Sequence, residues 1–224
     1  MSAKPLYQLK VTLQDFRPPI WRRLLISSDA TFFDLHSLIQ DAFGWEDYHL
    51  HSFRAYRNKG KKRIYIQDDE TNQEWQYYPF QLAEELLPPI EERDEYYNEL
   101  NTHLRQHINE EFPTIRYEYD FGDSWEHEIV LEKILHEVAA VPVVLGGKRM
   151  GPPEDSRGWI HDAEDIVAAS HNKRSKFWQE LVKNWGIDIA EDFASISEEF
   201  LSTTFGLDAV TITDPKERLK NYHR

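Results

Sequence analysis

The sequence predicts an α+β fold: a single domain holding a mainly antiparallel β-sheet built from hairpins, with flanking helices. Three observations carry that expectation. Short segments such as Tyr7-Leu9-Val11-Leu13 and Tyr117-Tyr119-Phe121 place apolar residues at every second position, the period of strands with one buried face. Turn sequences at Asn58-Lys59-Gly60-Lys61 and Gly122-Asp123 join such segments at hairpin distance. Leu35, Leu38, Ile39, Ala42 and Phe43 instead recur with the period of a helix.

The 224 residues allow one well-buried domain with elaborations rather than two full domains. We expect it to span 1–206, with a polar tail over 207–224 that frays from Asp214 onward. Apolar residues make up 40% of the chain and aromatics 13%, enough for a packed core. No apolar run approaches a membrane span, and Met1-Ser2-Ala3-Lys4-Pro5 lacks the apolar segment of a signal peptide. The absence of cysteine excludes disulfides and thiolate chemistry and fits a cytoplasmic protein. A net charge of −14 argues against a protein that coats DNA by neutralising phosphates.

In chain order, Tyr7 to Leu13 and Ile20 to Ile26 are expected strands, separated by Pro18-Pro19. Thr31 with Asp34 has the spacing of a helix cap, and Gly44 ends the helix that follows. His49 to Tyr56 is a strand whose His49, His51, Phe53 and Ala55 share a face, paired with Arg63 to Gln67. Glu74 to Phe80 has no clear period; Gln81 to Leu87 reads as helical turns ending before Pro88-Pro89. Tyr96, Tyr97, Leu100, Leu104, His107 and Ile108 keep a helical period and predict a surface helix. Val141 to Leu145 is a short strand. Asp162 to Ser170, Ser175 to Trp185 and Ile189 to Phe205 are helices, the last with Phe193, Ile196 and Phe200 inside.

Arg116 to Glu128 is the expected working end, a hairpin crowded with aromatics, carboxylates and a histidine. A three-residue loop, Gly122 to Ser124, pairs Phe121 with Trp125, Tyr119 with His127 and Tyr117 with Ile129, which keeps one face apolar. It also sets Asp120 opposite Glu126 and Glu118 opposite Glu128. Such like-charge pairs cost about a few tenths of a kcal/mol each, so that face requires water, a cation or an arginine.

His49-x-His51 on a strand spaces two imidazoles about 6.5–7 Å apart on one face, a distance that suits a divalent metal. His127 with Asp120 or Asp123 is expected to complete a nitrogen and oxygen ligand set for Zn²⁺ or Mn²⁺, with Glu126 or Glu154 as base. The competing expectation is structural: the histidines bond within an aromatic core and Asp120 and Asp123 cap the turn. Arg54 to Arg63 holds six basic residues and no acid. Its Arg57, Lys59, Lys61, Lys62 and Arg63 form either a nucleic-acid or partner contact or a solvated edge that discourages aggregation.

Pro19-Ile20-Trp21-Arg22-Arg23, Phe43-Gly44-Trp45 with His49-Leu50-His51-Ser52-Phe53, Tyr119-Asp120-Phe121-Gly122-Asp123-Ser124-Trp125-Glu126-His127, and Pro152-Pro153-Glu154-Asp155 together resemble the plasmid pRiA4b ORF-3-like family. The resemblance implies a compact α+β fold and an occurrence on plasmids and insertion elements, where some members carry a TnpR-like passenger label. It implies no established activity, and the chain lacks the activated serine, surrounding arginines and basic segment that a serine resolvase needs. Many members carry cysteines around the Pro-Pro-Glu-Asp loop; this chain has Val144, Gly151 and Ser156 there, which removes any thiol or cysteine-zinc role. Two readings follow. One is a non-enzymatic accessory protein that binds a protein or ligand partner through the aromatic, acidic face; the other is a metal-dependent hydrolase.

Overall fold

A computed structural model of the chain describes residues 4–57, 59, 62–68, 93–136 and 138–220. The period-two segments form an eight-stranded sheet among these residues: β1 (Leu6–Leu13), β2 (Ile20–Ser27), β3 (His51–Arg57), β4 (Lys62–Gln67), β5 (Glu95–Asn98), β6 (Thr114–Tyr119), β7 (Trp125–Leu135) and β8 (Val143–Lys148). Their order across the sheet is β5-β4-β3-β6-β7-β1-β2-β8. Every neighbouring pair is antiparallel except β4 with β5. The fold is therefore the expected α+β arrangement.

One face of the sheet is buried and the other is polar, as period-two alternation requires. Leu9, Val11, Leu13, Ile20, Leu24, Phe53, Ile66, Tyr117, Tyr119, Trp125 and Ile129 belong to a single core cluster. Over it lies α1 (Phe32–Phe43), started by a Thr31/Asp34 capping box and stopped by Gly44 at φ 77°, a backbone region that glycine enters without strain. On the outer face Arg23 pairs with Glu132, and Arg116 with Glu128. Arg54 reaches both Glu118 and Glu126, so an arginine is what relieves this pair of like charges.

The central hairpin is two residues out of the expected register. Its strands pair Tyr119 with Trp125, Tyr117 with His127 and Glu118 with Glu126. The loop is longer because Asp120 and Ser124 both adopt positive φ, and the Asp120 carboxylate accepts from the Gly122 amide at 2.9 Å. A slip of two preserves the face, so the apolar side is the expected one.

The helix expected over Tyr96 to Ile108 is replaced by edge strand β5, a turn, and one short helix, α2 (Leu104–His107). Parallel pairing with β4 and the stacked rings of Tyr65 and Tyr96, 5.2 Å apart, outweigh a weak helical period there. Beyond β8 come α3 (Arg157–Ile160), α4 (Ala163–Ser170), α5 (Lys176–Trp185) and α6 (Ile187–Ser202), the last three building a smaller core around Ile166, Trp178, Ala190 and Ala194. The described part of the tail is packed on the fold. Asp214 caps α7 (Pro215–Leu219), and Arg218 pairs with Asp41 of α1 at 2.5 Å and with Asp47 at 3.5 Å. Glu74 to Phe80, Gln81 to Leu87 and Lys61 lie outside the described residues.

Candidate functional site

The four motif segments meet at the C-terminal end of α1. Arg22 of β2 is 1% exposed and donates to the Ala42 carbonyl at 2.6 Å, placing a cation at the negative end of the helix. Its guanidinium lies between the rings of Phe43 and Phe205, and burial pushes its pKa down to about 10. Gly151, just before the Pro152-Pro153 pair, sits so close to this helix end that a Cβ there would lie 2.3 Å from the Phe43 carbonyl oxygen. The loop can dock only because the side chain is absent.

Docking is completed by polar contacts. Trp45 donates its indole N–H to the Pro152 carbonyl at 2.8 Å and stacks on Tyr119. Glu154 accepts from the Tyr119 hydroxyl and, at 2.8 Å, from the Glu46 amide. The same hydroxyl accepts from the Tyr48 amide at 3.0 Å. Burial, reinforced by the Glu154 carboxylate, raises the Tyr119 pKa strongly, so the group stays a neutral hydroxyl. Asp120 donates its amide to the Leu50 carbonyl at 2.8 Å. Asp123 accepts from the Arg157 amide at 3.0 Å.

On the outside of this junction, Tyr48, Leu50 and Phe121 are 72%, 53% and 36% exposed. Beside them the His49 Nε2 lies 3.2 Å from Asp155 Oδ1 and 3.8 Å from Asp120 Oδ2.

A second polar group lies inside the core. His36 of α1 and His51 of β3 stack with ring centroids 3.5 Å apart and planes within 3°. His51 meets Glu99 at 2.6 Å, and both side chains are essentially inaccessible. Burial opposes its charge, yet the Glu99 carboxylate prevails and the His51 pKa is raised. Burial, together with charged His51, lowers the pKa of His36. Neutral His36 then donates from Nε2 to Asp47 at 2.8 Å and accepts at Nδ1 from the Tyr117 hydroxyl at 2.8 Å. That hydroxyl in turn accepts from the Gln40 amide. Burial works to raise the Asp47 pKa, but His36, His51 and Arg218 outweigh it and hold the carboxyl low.

His36, Asp47 and His51 bring donor atoms within 4.8 Å of one another, but parallel rings cannot share an ion. An ion midway between near-parallel rings whose centroids are 3.5 Å apart would sit well out of each ring plane, whereas an imidazole lone pair lies in the plane.

The expected three-histidine centre is thus not assembled. His49 lies ahead of β3 at the surface junction, while His51 points into the core toward Glu99. His127 is buried against Phe43, Trp45 and Tyr117, with Nδ1 on the Trp125 carbonyl. Burial pushes its pKa down to about 3, as for a neutral core imidazole. Asp120 stands beside His49, but Asp123 is committed to Arg157. Glu126 falls on the outer face with Arg54 and cannot act as a base for the junction. Glu154 is inside the junction, with both oxygens occupied as clamps.

Among the described residues of the basic hairpin, three of the four cations named above are engaged within the fold. Arg57 stacks on Phe112 and donates to the His107 carbonyl. Lys62 pairs with Glu95 and Arg63 with Asp94; Lys59 is exposed. Sequence reasoning missed His36, Asp47, Glu99 and the pairing of Asp155 with His49. The signal for His36 was present: with Gln40 it falls on the apolar stripe of α1, four residues after Phe32 and three before Ile39.

The chain is 30% identical over 174 residues to the uncharacterized protein y4hQ of Sinorhizobium fredii, a match covering 75% of this chain and 77% of the relative. The crystal structure of MM3350 from Methanosarcina mazei Go1, a protein of unknown function, superposes with a TM-score of 0.58 at 28% identity. That superposition covers 80% of this chain and 88% of the other. No described helix is long and apolar enough to cross a membrane. The family model for the plasmid pRiA4b ORF-3-like protein matches residues 5–196, and the chain belongs to that family.

Proposed function

We propose that the chain is a cytoplasmic accessory protein that binds a protein partner, and that the contact surface is the outer side of the motif junction. The observation that carries this reading is how the motif segments divide their side chains. Trp45, Tyr119 and Glu154 lock the segments to one another, while Tyr48, Leu50 and Phe121 from the same segments stand exposed beside Glu46 and Asp155. Large apolar side chains ringed by carboxylates on a rigid base supply the anchor and the polar rim of a protein interface. The acidic rim suits a partner with basic residues. A hydrolase built on His49, His51 and His127 is not favoured, because the three imidazoles sit in separate environments. Nucleic-acid binding by the hairpin is not favoured either, since Arg57, Lys62 and Arg63 are already engaged within the fold.

The reading is tested by size-exclusion of tagged full chain in extracts of its native cells. Wild type is expected to co-elute with a partner. Leu50→Glu and Tyr48→Ala are each expected to weaken that association by about 30-fold while unfolding at the wild-type temperature. A wild type that elutes alone, or variants that co-elute unchanged, would contradict it.

A further inference from the structure

We infer that His49, Asp120 and Asp155 form a binding site for one divalent transition-metal ion, Mn²⁺ or Zn²⁺, at the centre of the motif junction. The inference does not depend on what partner the surrounding face recognises. Each ligand comes from a different segment: His49 from the stretch before β3, Asp120 from the loop of the central hairpin, and Asp155 from the Pro-Pro-Glu-Asp loop. Their donor atoms all lie within 4.8 Å of one another. The separations of 3.2 and 3.8 Å from His49 Nε2 to the two carboxylates correspond to ligand–metal–ligand angles of about 100° and 130° for bonds of about 2.1 Å. Those values bracket a tetrahedral arrangement.

Three further details favour an ion over a simple ion pair. The His49 Nε2 is buried and, although 3.2 and 3.8 Å from two carboxylate oxygens, makes no hydrogen bond. Asp120 is 7% exposed and fixed on both sides: its Oδ1 accepts from the Gly122 amide and its own amide donates to Leu50. Its Oδ2 is left facing the imidazole. The ring edge of His49 also packs on Tyr119, 5.7 Å between centroids, so the imidazole is held by the same residue that clamps Glu154. One nitrogen and two carboxylate donors suit Mn²⁺ or Zn²⁺ better than Mg²⁺. Asp155 is largely exposed, which leaves coordination positions open on the solvent side for water or for an oxygen donor of a bound partner.

The test is a Mn²⁺ titration of chelator-treated full chain, followed by electron paramagnetic resonance and repeated with Zn²⁺ as competitor. One Mn²⁺ is expected per chain, displaced by Zn²⁺. Affinity is expected to fall by at least about tenfold in His49→Ala and in Asp155→Asn, and to be unchanged in His171→Ala, which alters an exposed imidazole elsewhere. Asp155→Asn keeps the test sound if His49→Ala folds poorly, since it changes only an exposed side chain. A wild type that takes up neither ion at millimolar concentration, or variants that bind as wild type does, would overturn the assignment.

Discussion

Glu99→Ala is expected to lower stability by about 3–5 kcal/mol, or roughly 6–20 °C in Tm for a chain of this size. Glu99 and His51 are a buried ionic pair whose side chains are 0% and 1% exposed. Removing Glu99 takes away the carboxylate that contributes most to holding the buried imidazolium charged, leaving the weaker influence of Asp47 and Asp68. The loss has a defined pH dependence. The folded pKa of His51 is raised above its ordinary value, so the pair contributes fully below about pH 6.5 and less as pH rises through the folded value. The defect of Glu99→Ala is therefore largest on the acid side. Replacing both residues, His51→Leu with Glu99→Leu, is expected to recover much of the loss, because neither charge is then buried. Chemical denaturation of the three proteins checks this. A single-variant loss below about 1 kcal/mol would show that the pair is not the buried anchor described.

His127 gives the second large effect, of opposite sign in pH. Its folded pKa lies at about 3 because burial disfavours the charged ring. Between pH 6.5 and 4.5 the unfolded chain takes up a proton at this position and the folded chain does not. Stability from this group therefore falls by about 1.4 kcal/mol per pH unit, or roughly 2–3 kcal/mol over the window. His36 acts in the same direction. The carboxyls held low, Asp47 and Glu132, lose their contributions only at lower pH, when the unfolded carboxyls protonate. His127→Asn retains an amide donor for the Trp125 carbonyl but does not titrate. It is expected to be less stable than wild type at pH 7 by about 1–3 kcal/mol through the space it leaves, with a shallower fall toward pH 4.5. Equal slopes in the two proteins would contradict the neutral, buried assignment.

Much of the architecture is legible in the residues. The strands of the two main hairpins, the capping box at Thr31 and the stop at Gly44 follow from local period and cap chemistry. What local pattern cannot give is pairing decided at long range. Tyr96 and Tyr97 carry a helical period, yet a free sheet edge beside β4 and the ring of Tyr65 claim them for a strand. The hairpin register was chosen to keep one face apolar, a criterion that a slip of two residues also satisfies, and two positive-φ residues, Asp120 and Ser124, lengthened the loop. The tail reads as a solvated segment because its residues are polar, and local sequence does not show what Arg218 meets. Its partners, Asp41 and Asp47, are more than 170 residues away in the chain.

The site was half legible. Motif spacing identified His49, Asp120 and the Pro-Pro-Glu-Asp loop, and these do meet. The inference that two imidazoles two residues apart on a strand serve one centre failed for a simple reason. The strand begins at His51, so His49 is not held by its alternation and turns outward to the loops.

The central claim is that the outer side of the motif junction is the surface on which this protein is bound. Trp185, Ile187 and Ile189, also exposed where α5 joins α6, are the competing apolar patch. Photo-crosslinking in the native cells separates them, with benzoylphenylalanine placed either at Tyr48 or at Trp185 of the full chain. The account predicts a discrete adduct from position 48 that disappears when Leu50→Glu is added, and none from position 185. A discrete adduct from position 185 with none from position 48 would contradict it.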